Sequence, residues 1–459
     1  MDISDYTVFM IGALILLLSV YAFLISRREK EQVAAKRFLM TGVIVAFVYF
    51  SCLIWSFPGK DFFSALLIAI PVVAAIAVLF PFHRVVRMPM PGGPGEQQRI
   101  DERDIMFSRR ELVPGTARFK AYYKRKPDHK SLDDLFRSKP GLLSPQAVYA
   151  DPLMFAACRP SFEGVKQLHP LAEGTPDAKA VSAEAGEFTR FIKFWGKKLG
   201  AHRLGITRLR DYHLYSIRGR GERYGEKIEL DHQYAIALVV EMDYDMMRQA
   251  PQPQAMMESS NQYLKSGAIA IQIAQFIRSI GYAATAHIDA RYQVVCSLVA
   301  RDAGLGEIGR MGLLMTPDLG PRVRIAVVTT NLPLVTDSVK QERSMIDFCR
   351  HCNKCARLCP SNAIPFDDMK EIDGVLRWQI NSEACYTFWC SIGTDCGRCV
   401  AVCPFAHADN PLHAAIRYAI RRSFLFRRLG IYLDDFYYGK SPAPRRDENV
   451  KNRSEKGRI

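Results

Sequence analysis

The chain has 459 residues, 49% of them apolar, which is enough for two or three domains with hydrophobic cores and excludes general disorder. Its formal charge is +15, but no zinc finger, RNP-like aromatic pattern or dense Lys/Arg helix accompanies it. No nucleic-acid partner is therefore expected, and a basic surface near anionic lipid accounts for the excess. Nine of the twelve cysteines fall between positions 349 and 403. A secreted disulfide scaffold would spread them along the chain, so metal ligation is favoured over cross-linking.

Three apolar stretches open the chain, Tyr6 to Ile25, Phe38 to Phe57 and Phe62 to Phe82, each long enough to span a bilayer as a helix. A cleaved leader is the weaker reading of the first, because Asp2 and Asp5 replace a basic start and no small-residue cleavage site follows. Basic residues cluster at Arg27, Arg28, Lys30, Lys36 and Arg37 after the first span and at Arg84 and Arg87 after the third, with Lys60 alone between the second and third. The positive-inside rule then puts the N-terminus outside and the remainder in the cytoplasm, as a multi-pass protein of the inner membrane.

Residues 1–88 are thus read as a membrane anchor and 89–185 as a linker and loop-rich segment, beginning with Met90-Pro91-Gly92-Gly93-Pro94-Gly95. From 186 to 200, Phe188, Phe191, Ile192, Trp195 and Leu199 share one helical face, and Tyr234 to Val240 reads as a buried strand. A second helix over Met256 to Ser279 stops at Gly281, and Val323 to Thr329 is another apolar strand. This alternation predicts an α/β core over 186–340. A cysteine-rich module follows over 341–410, then a C-terminal helix and basic tail over 411–459.

The first motif is Cys349-x2-Cys352-x2-Cys355-x3-Cys359-Pro360, the spacing of a bacterial ferredoxin half. The second, Cys396-x2-Cys399-x3-Cys403-Pro404, is short of one ligand upstream, and both Cys385 and Cys390 qualify by position. In two-cluster ferredoxins the last cysteine of each motif serves the other cluster. One 4Fe-4S cluster then takes Cys349, Cys352, Cys355 and Cys403, and the other takes Cys359, Cys396, Cys399 and one upstream cysteine. Zinc also accepts four thiolates, but two interlocked motifs ending in Cys-Pro favour iron-sulfur. Cys52 falls in the second apolar span, and Cys158 and Cys296 are read as small buried hydrophobes rather than ligands.

The run Gly304-Leu305-Gly306-Glu307-Ile308-Gly309-Arg310-Met311-Gly312, then Gly320-Pro321-Arg322-Val323-Arg324 and Thr330-Asn331-Leu332-Pro333-Leu334, leads into the first motif. Together with Phe276-Ile277-Arg278-Ser279-Ile280-Gly281-Tyr282-Ala283, Cys385-Tyr386-Thr387-Phe388-Trp389 and Leu433-Asp434-Asp435-Phe436-Tyr437-Tyr438-Gly439-Lys440, it resembles the cobalamin-dependent reductive dehalogenase family over most of residues 186 to 440. That resemblance implies a nitroreductase-like cobalamin-binding core, a base-off corrinoid beside the ferredoxin module, and Cys385 as the missing cluster ligand. It also implies an organohalide substrate and an electron donor, either a protein or a quinol-linked reductase.

Family members use a tyrosine as proton donor, and Tyr263 sits at the matching place. The accompanying basic residue is expected at Arg322, with Arg324 second, and a cation there favours the phenolate. Gly304, Gly306 and Gly309 suit close backbone approach to a large ligand, and His287 and Asp289 are further candidate contacts of the cofactor pocket. Many family members carry a twin-arginine export signal and use a separate small anchor protein. Here Arg27-Arg28 follows an apolar span, so a built-in anchor and an inward-facing site are expected. Two rival readings stand beside this one. An epoxyqueuosine-reductase-like enzyme acting on tRNA suits the charge but is opposed by the spans, and a membrane ferredoxin would relay electrons without catalysis.

Overall fold

The computed structural model describes residues 3–55, 57–79, 98–338, 342–372 and 375–445. The Pro/Gly run from Met90 to Gly95, the basic pair Arg84 and Arg87, and the end of the third expected span at Phe82 lie outside these residues. The chain divides into two compact units, one of residues 1–88 with 407–443, the other of 89–406 with 444–459.

The first unit begins with helices α1 (Ile3–Arg28), α2 (Gln32–Ile54) and α3 (Lys60–Leu79). Among the described residues two helices, α1 and α2, rather than the expected three, are long and apolar enough to cross a membrane. Small residues set their approach: a Cβ on Gly12 would lie 2.7 Å from Tyr49 Cβ, and one on Gly42 2.5 Å from Ser19 Cβ. The C-terminal segment holds two helices, Pro411–Arg422 and Phe424–Tyr438, and belongs to this same unit. A stacked Phe38–Tyr437 pair, with ring centroids 3.8 Å apart, and a hydrogen bond between His413 Nε2 and Glu29 Oε2 at 3.2 Å join its two parts. Along the last helix Leu425, Leu429, Tyr432 and Phe436 form an exposed apolar stripe.

The second unit is built on a four-stranded sheet of β1 (Arg203–Arg208), β2 (Tyr234–Glu241), β3 (Ala284–His287) and β4 (Val323–Thr330), in the order β1-β2-β4-β3. Helices and strands do alternate along the chain, but every pairing in this sheet is antiparallel. The expected α/β core is therefore α/β by order of elements and not by strand direction. The apolar run of β2 follows from cover on both faces. Ile236, Leu238 and Val240 enter one core, while Ala235, Ala237 and Val239 enter the other.

The first core is closed by helices α4 (Pro152–Leu168), α5 (Ala185–Lys198) and α6 (Pro253–Ser279), through Val165, Phe188, Ile192, Ile269, Ile273 and Ile277. Each such side chain, fully buried, contributes roughly 1.5–3 kcal/mol. Helix α6 stops at Gly281, whose φ is +87° and whose Cβ would press on Ala180 Cα at 2.5 Å, so glycine is required there. The segment expected to be loop-rich instead holds α4 and two shorter helices, Ala117–Arg125 and Asp128–Arg137. Pro160 within α4 and the charge of the shorter helices mask their periodicity. Strands β1 and β3 are also absent from the sequence reading, being short and broken by Gly205 and by Thr285 and His287.

Candidate active site and cysteine loops

Both cysteine motifs fold as paired one-turn helices entered through left-handed residues. Asn353, with φ +52°, follows Cys352 and opens the turn Lys354–Arg357 that carries Cys355. Gly397, with φ +66°, follows Cys396 and opens Arg398–Ala401, which carries Cys399. This local duplication is what the spacing encodes.

The thiols fall into two electrostatic neighbourhoods. Cys403 faces Cys349, Cys352 and Cys355. Cys396 faces Cys385 and Cys359, and Cys399 faces Cys396, Cys385, Cys355 and Cys359. Cys390 instead packs with Met106, Phe136 and Tyr386, and its charged neighbour is Arg110. Cys385 thus lies with Cys359 and the thiols of the second motif, and Cys399 also neighbours Cys355 of the first. Burial pushes the Cys355 and Cys396 thiols up to about 12 and the Cys385 thiol to about 11, so these groups hold a thiolate only with a positive ligand among them. Among the described residues no three His, Cys, Asp or Glu side chains converge to hold a single metal ion.

Arg310, within the Gly-rich run, supports the first set. Its buried guanidinium donates to the carbonyls of Cys349 (3.1 Å), Pro365 (2.9 Å), Phe366 (3.0 Å), Asp367 (2.6 Å) and Arg350 (3.2 Å), beneath the Trp378 ring at 4.9 Å. Three glycines of this run are expected to meet a cofactor. A Cβ on Gly306 would lie 2.0 Å from Met315 O, and one on Gly309 would lie 2.7 Å from Met315 Cγ and 3.5 Å from Cys349 Sγ, so both positions need glycine. Gly304 takes φ +76° in a turn. Their immediate neighbours are chain atoms and the Cys349 thiol, and none of the three lines the cavity beside Tyr263.

That cavity, of about 410 Å³, is the volume of a small organic ligand. Its walls include Phe107, Phe162, Tyr292 and Trp389, and Tyr263, His287, Asp289 and Asp395. Tyr263 projects from α6. The guanidinium of Arg324, on β4, stands over its ring at 4.8 Å. Arg324 Nη2 also donates to Ser259 Oγ (2.6 Å) and Asp395 Oδ2 (3.1 Å), and Ser259 Oγ donates to the same carboxylate. Asp395 directly precedes Cys396, so the Tyr263–Arg324–Asp395 group is joined covalently to the second cysteine motif.

The Tyr263 hydroxyl is pulled down by the Arg324 cation and pushed up by burial and by the Asp289 and Asp395 carboxylates, and the upward effects prevail. The expected net lowering is therefore reversed. At neutral pH the phenol keeps its proton, and Arg324 is placed to steady the anion once that proton leaves. The ranking of the two arginines is also reversed. Arg322 lies in the turn before β4, 1% exposed, with its guanidinium engaged by Glu241 (2.7 Å), the Met242 carbonyl and the Ala406 carbonyl (3.0 Å). It is a strut tying β2 to the last cysteine segment, and it does not reach Tyr263.

His287 is fully buried. Gln293 N–H donates to its Nδ1 at 3.1 Å, so Nε2 carries the proton toward Thr329 Oγ1 at 2.8 Å. Burial holds this imidazole neutral, with its pKa down to about 3. Asp289 lends its carbonyl to His169 Nε2 at 2.9 Å and lines the cavity through its side chain. Cys296, read as a plain buried hydrophobe, is part of the cavity wall, its thiol pushed up to about 12 by burial. Arg110, Arg220, Asp395 and the aromatic walls escape the sequence reading, because no spacing rule links residues so far apart in the chain.

Several buried polar atoms find no partner in the chain: Gln249 Oε1, Gln254 Oε1, Gln262 Oε1, Asp395 Oδ1 and Arg324 Nε. Unmet hydrogen bonding of this kind costs about 1–3 kcal/mol per group, and the amide oxygens of Gln249, Gln254 and Gln262 suit an amide-bearing ligand such as a corrinoid.

Residues 348–407 match the 4Fe-4S dicluster domain family. Over 284 residues the chain is 31% identical to a tetrachloroethene reductive dehalogenase of Sulfurospirillum multivorans, covering 54% of this chain and 56% of that protein. Over 196 residues it is 35% identical to a tetrachloroethene reductive dehalogenase of Dehalobacter restrictus, covering 40% of this chain and 35% of that protein. Among solved structures, the catabolic reductive dehalogenase NpRdhA in complex with 3-bromo-4-hydroxybenzoic acid superposes with a TM-score of 0.62 at 26% identity, over 77% of this chain and 49% of that one. The chain spans about half, or less, of the length of these relatives. Its fold matches the reductive dehalogenase catalytic fold, and sequence relatives and solved structures agree in their similarity to that family.

Proposed function

We propose that the chain is a reductive dehalogenase, an oxidoreductase that replaces the halogen of an organohalide by hydrogen. The observation that carries this reading is the Tyr263–Arg324 pair: a protonated phenol on a cavity wall, under a guanidinium, one residue of backbone away from a cluster ligand through Asp395. The overall change is R–X + 2e⁻ + H⁺ → R–H + X⁻. A base-off corrinoid, when bound, supplies the reducing metal centre, and two 4Fe-4S clusters supply it with single electrons. Gln249, Gln254, Gln262 and Asp395 are the residues that would hold the corrinoid.

Tyr263 gives its proton to the carbon that loses halide. Arg324 stabilises the resulting phenolate, in a site where burial amplifies that charge interaction. The cavity walls position the substrate and exclude water. Asp395, held by Arg324 and Ser259, fixes the guanidinium over the ring. In this reading Cys349, Cys352, Cys355 and Cys403 hold one cluster, Cys359, Cys385, Cys396 and Cys399 hold the other, and 341–410 acts as the ferredoxin module of a core over 186–340.

We further assign residues 1–88 to a multi-pass anchor in the cell membrane, with the catalytic residues on the cytoplasmic side. The exposed apolar faces of α1 and α2 and the stripe from Leu425 to Phe436 support a lipid partner. The electron donor is then a protein or a quinol-linked reductase. Anaerobic purification in detergent, iron and corrinoid analysis and a halide-release screen test the reading. About eight irons and one corrinoid per chain, with halide released on reduction, are expected. Intact clusters without corrinoid would instead favour the electron relay, and salt-dependent tRNA binding the tRNA-modifying enzyme.

A further inference from the structure

Gly304, Gly306 and Gly309 do not line the cavity, and the fold gives the Gly-rich run another neighbour. A Cβ on Gly309 would stand 3.5 Å from Cys349 Sγ, so the backbone here passes against the first cysteine motif. The next residue, Arg310, is 2% exposed. Its guanidinium is held by the carbonyls of Cys349, Arg350, Pro365, Phe366 and Asp367 and by the face of Trp378. Backbone carbonyls satisfy its N–H groups but carry no net charge, so the cation is buried without being neutralised.

The groups that act on this cation are the Cys355, Cys349 and Cys352 thiols and the Asp368 carboxylate. Asp368 is exposed and engaged by Arg350 at 2.7 Å, and its neighbour Asp367 is engaged by Lys370 at 2.8 Å. Lys354, on the turn that carries Cys355, is a second buried basic residue of this motif. Beside the pocket the arrangement differs, because there Arg324 is matched by the Asp395 carboxylate at 3.1 Å. An unmatched charge in a low-dielectric interior acts strongly on a group whose own charge changes, and cluster potentials respond to net charge and burial. An electron entering the first cysteine set adds one negative charge beside Arg310.

Building on the dehalogenase reading, in which Cys349, Cys352, Cys355 and Cys403 hold one 4Fe-4S cluster, we propose that Arg310 raises the reduction potential of that cluster. The electron comes from the protein or quinol-linked donor of that reading, and the cation lets a milder donor load it. Arg310 does not line the cavity and takes no part in bond breaking. It is a positioning residue that acts through the cluster, and the Gly-rich run is the wall that holds it there.

The test uses the full chain, purified anaerobically in detergent with its clusters, as wild type, R310Q, R310K and D368N. Iron is quantified, and reduction of each cluster is followed by electron paramagnetic resonance during a redox titration. C399S, expected to keep the first cluster alone, identifies its wave. In R310Q that wave should fall by at least about tenfold in the reduction equilibrium, about 59 mV for a one-electron couple, while the other wave stays within about twofold. R310K keeps the charge while giving up most of the carbonyl bonds, and should retain most of the wild-type value. D368N removes an exposed opposing carboxylate and should raise the same wave by a smaller amount. An unmoved wave in R310Q at matched iron, an equal fall of both waves, or a fall in R310K as large as in R310Q would overturn the proposal. If R310Q does not hold its iron, an unmoved wave in D368N overturns it. Wild type without iron would overturn it together with the dehalogenase reading. Iron-replete protein without corrinoid, whose first wave still falls in R310Q, would leave Arg310 in this role and remove the dehalogenase reading alone.

Discussion

The cysteine loops and the Tyr263 pocket lie in the same compact unit but are assembled in opposite ways. The loops draw their chemistry from two short runs of sequence, where a left-handed residue and a one-turn helix present thiols at fixed intervals. The pocket is gathered from distant elements, with Tyr263 on α6, Arg324 on β4, Asp395 beside a cysteine and Arg220 pinned to Glu102. A local design fails all at once when one ligand is lost. A gathered design loses its functions one residue at a time.

Substitution of the loops should therefore give the largest effect. C399S is expected to remove about four of eight irons and all turnover, because every thiolate of a cubane is needed to close it. C390S should keep full iron, since that thiol packs among Met106, Phe136 and Tyr386. Iron quantitation on the two variants checks the pair, and iron loss in C390S would undo the division of thiols described above.

In the pocket the two arginines separate chemistry from support. R324M should lower turnover about 10²-fold with iron content retained, because the phenolate loses its stabilising cation. R322M should cost about 2–4 kcal/mol in stability by leaving the Met242 and Ala406 carbonyls unmet, with turnover per folded, loaded enzyme unchanged. Turnover and denaturant midpoints on both variants decide it. Interchanged outcomes would return Arg322 to the catalytic role the sequence suggested.

A smaller effect is expected at His287. The unfolded chain takes up a proton there near pH 6.5, whereas the buried imidazole refuses it down to about 3. The stabilisation is thus fully present above pH 6.5 and is lost as pH falls across that interval. In wild type this adds a loss of about a few kcal/mol to acid unfolding. H287Q should show a shallower decline in stability over the same window, measured by denaturation at stepped pH.

What the sequence disclosed follows the same division. Both cysteine motifs, the helices over 185–198 and 253–279 and the strands β2 and β4 were legible because their signals are periodic or locally spaced. Cys385 and Tyr263 became visible through family resemblance, and Arg324 stood second for want of any local sign that Arg322 is taken by Glu241. Arg220, Arg110 and the aromatic wall gave no signal, since their meeting depends on the antiparallel order of the sheet and on the helices between 117 and 168. The antiparallel pairing itself was hidden, because a strand covered on both faces reads as a continuous apolar run whatever its direction.

The central claim is that Tyr263 delivers the proton that completes carbon–halogen cleavage. Halide release by Y263F, measured beside wild type at matched iron and corrinoid content, tests it most directly. The account predicts a loss of about 10²- to 10⁴-fold with both cofactors retained. Turnover within a few fold of wild type would contradict it.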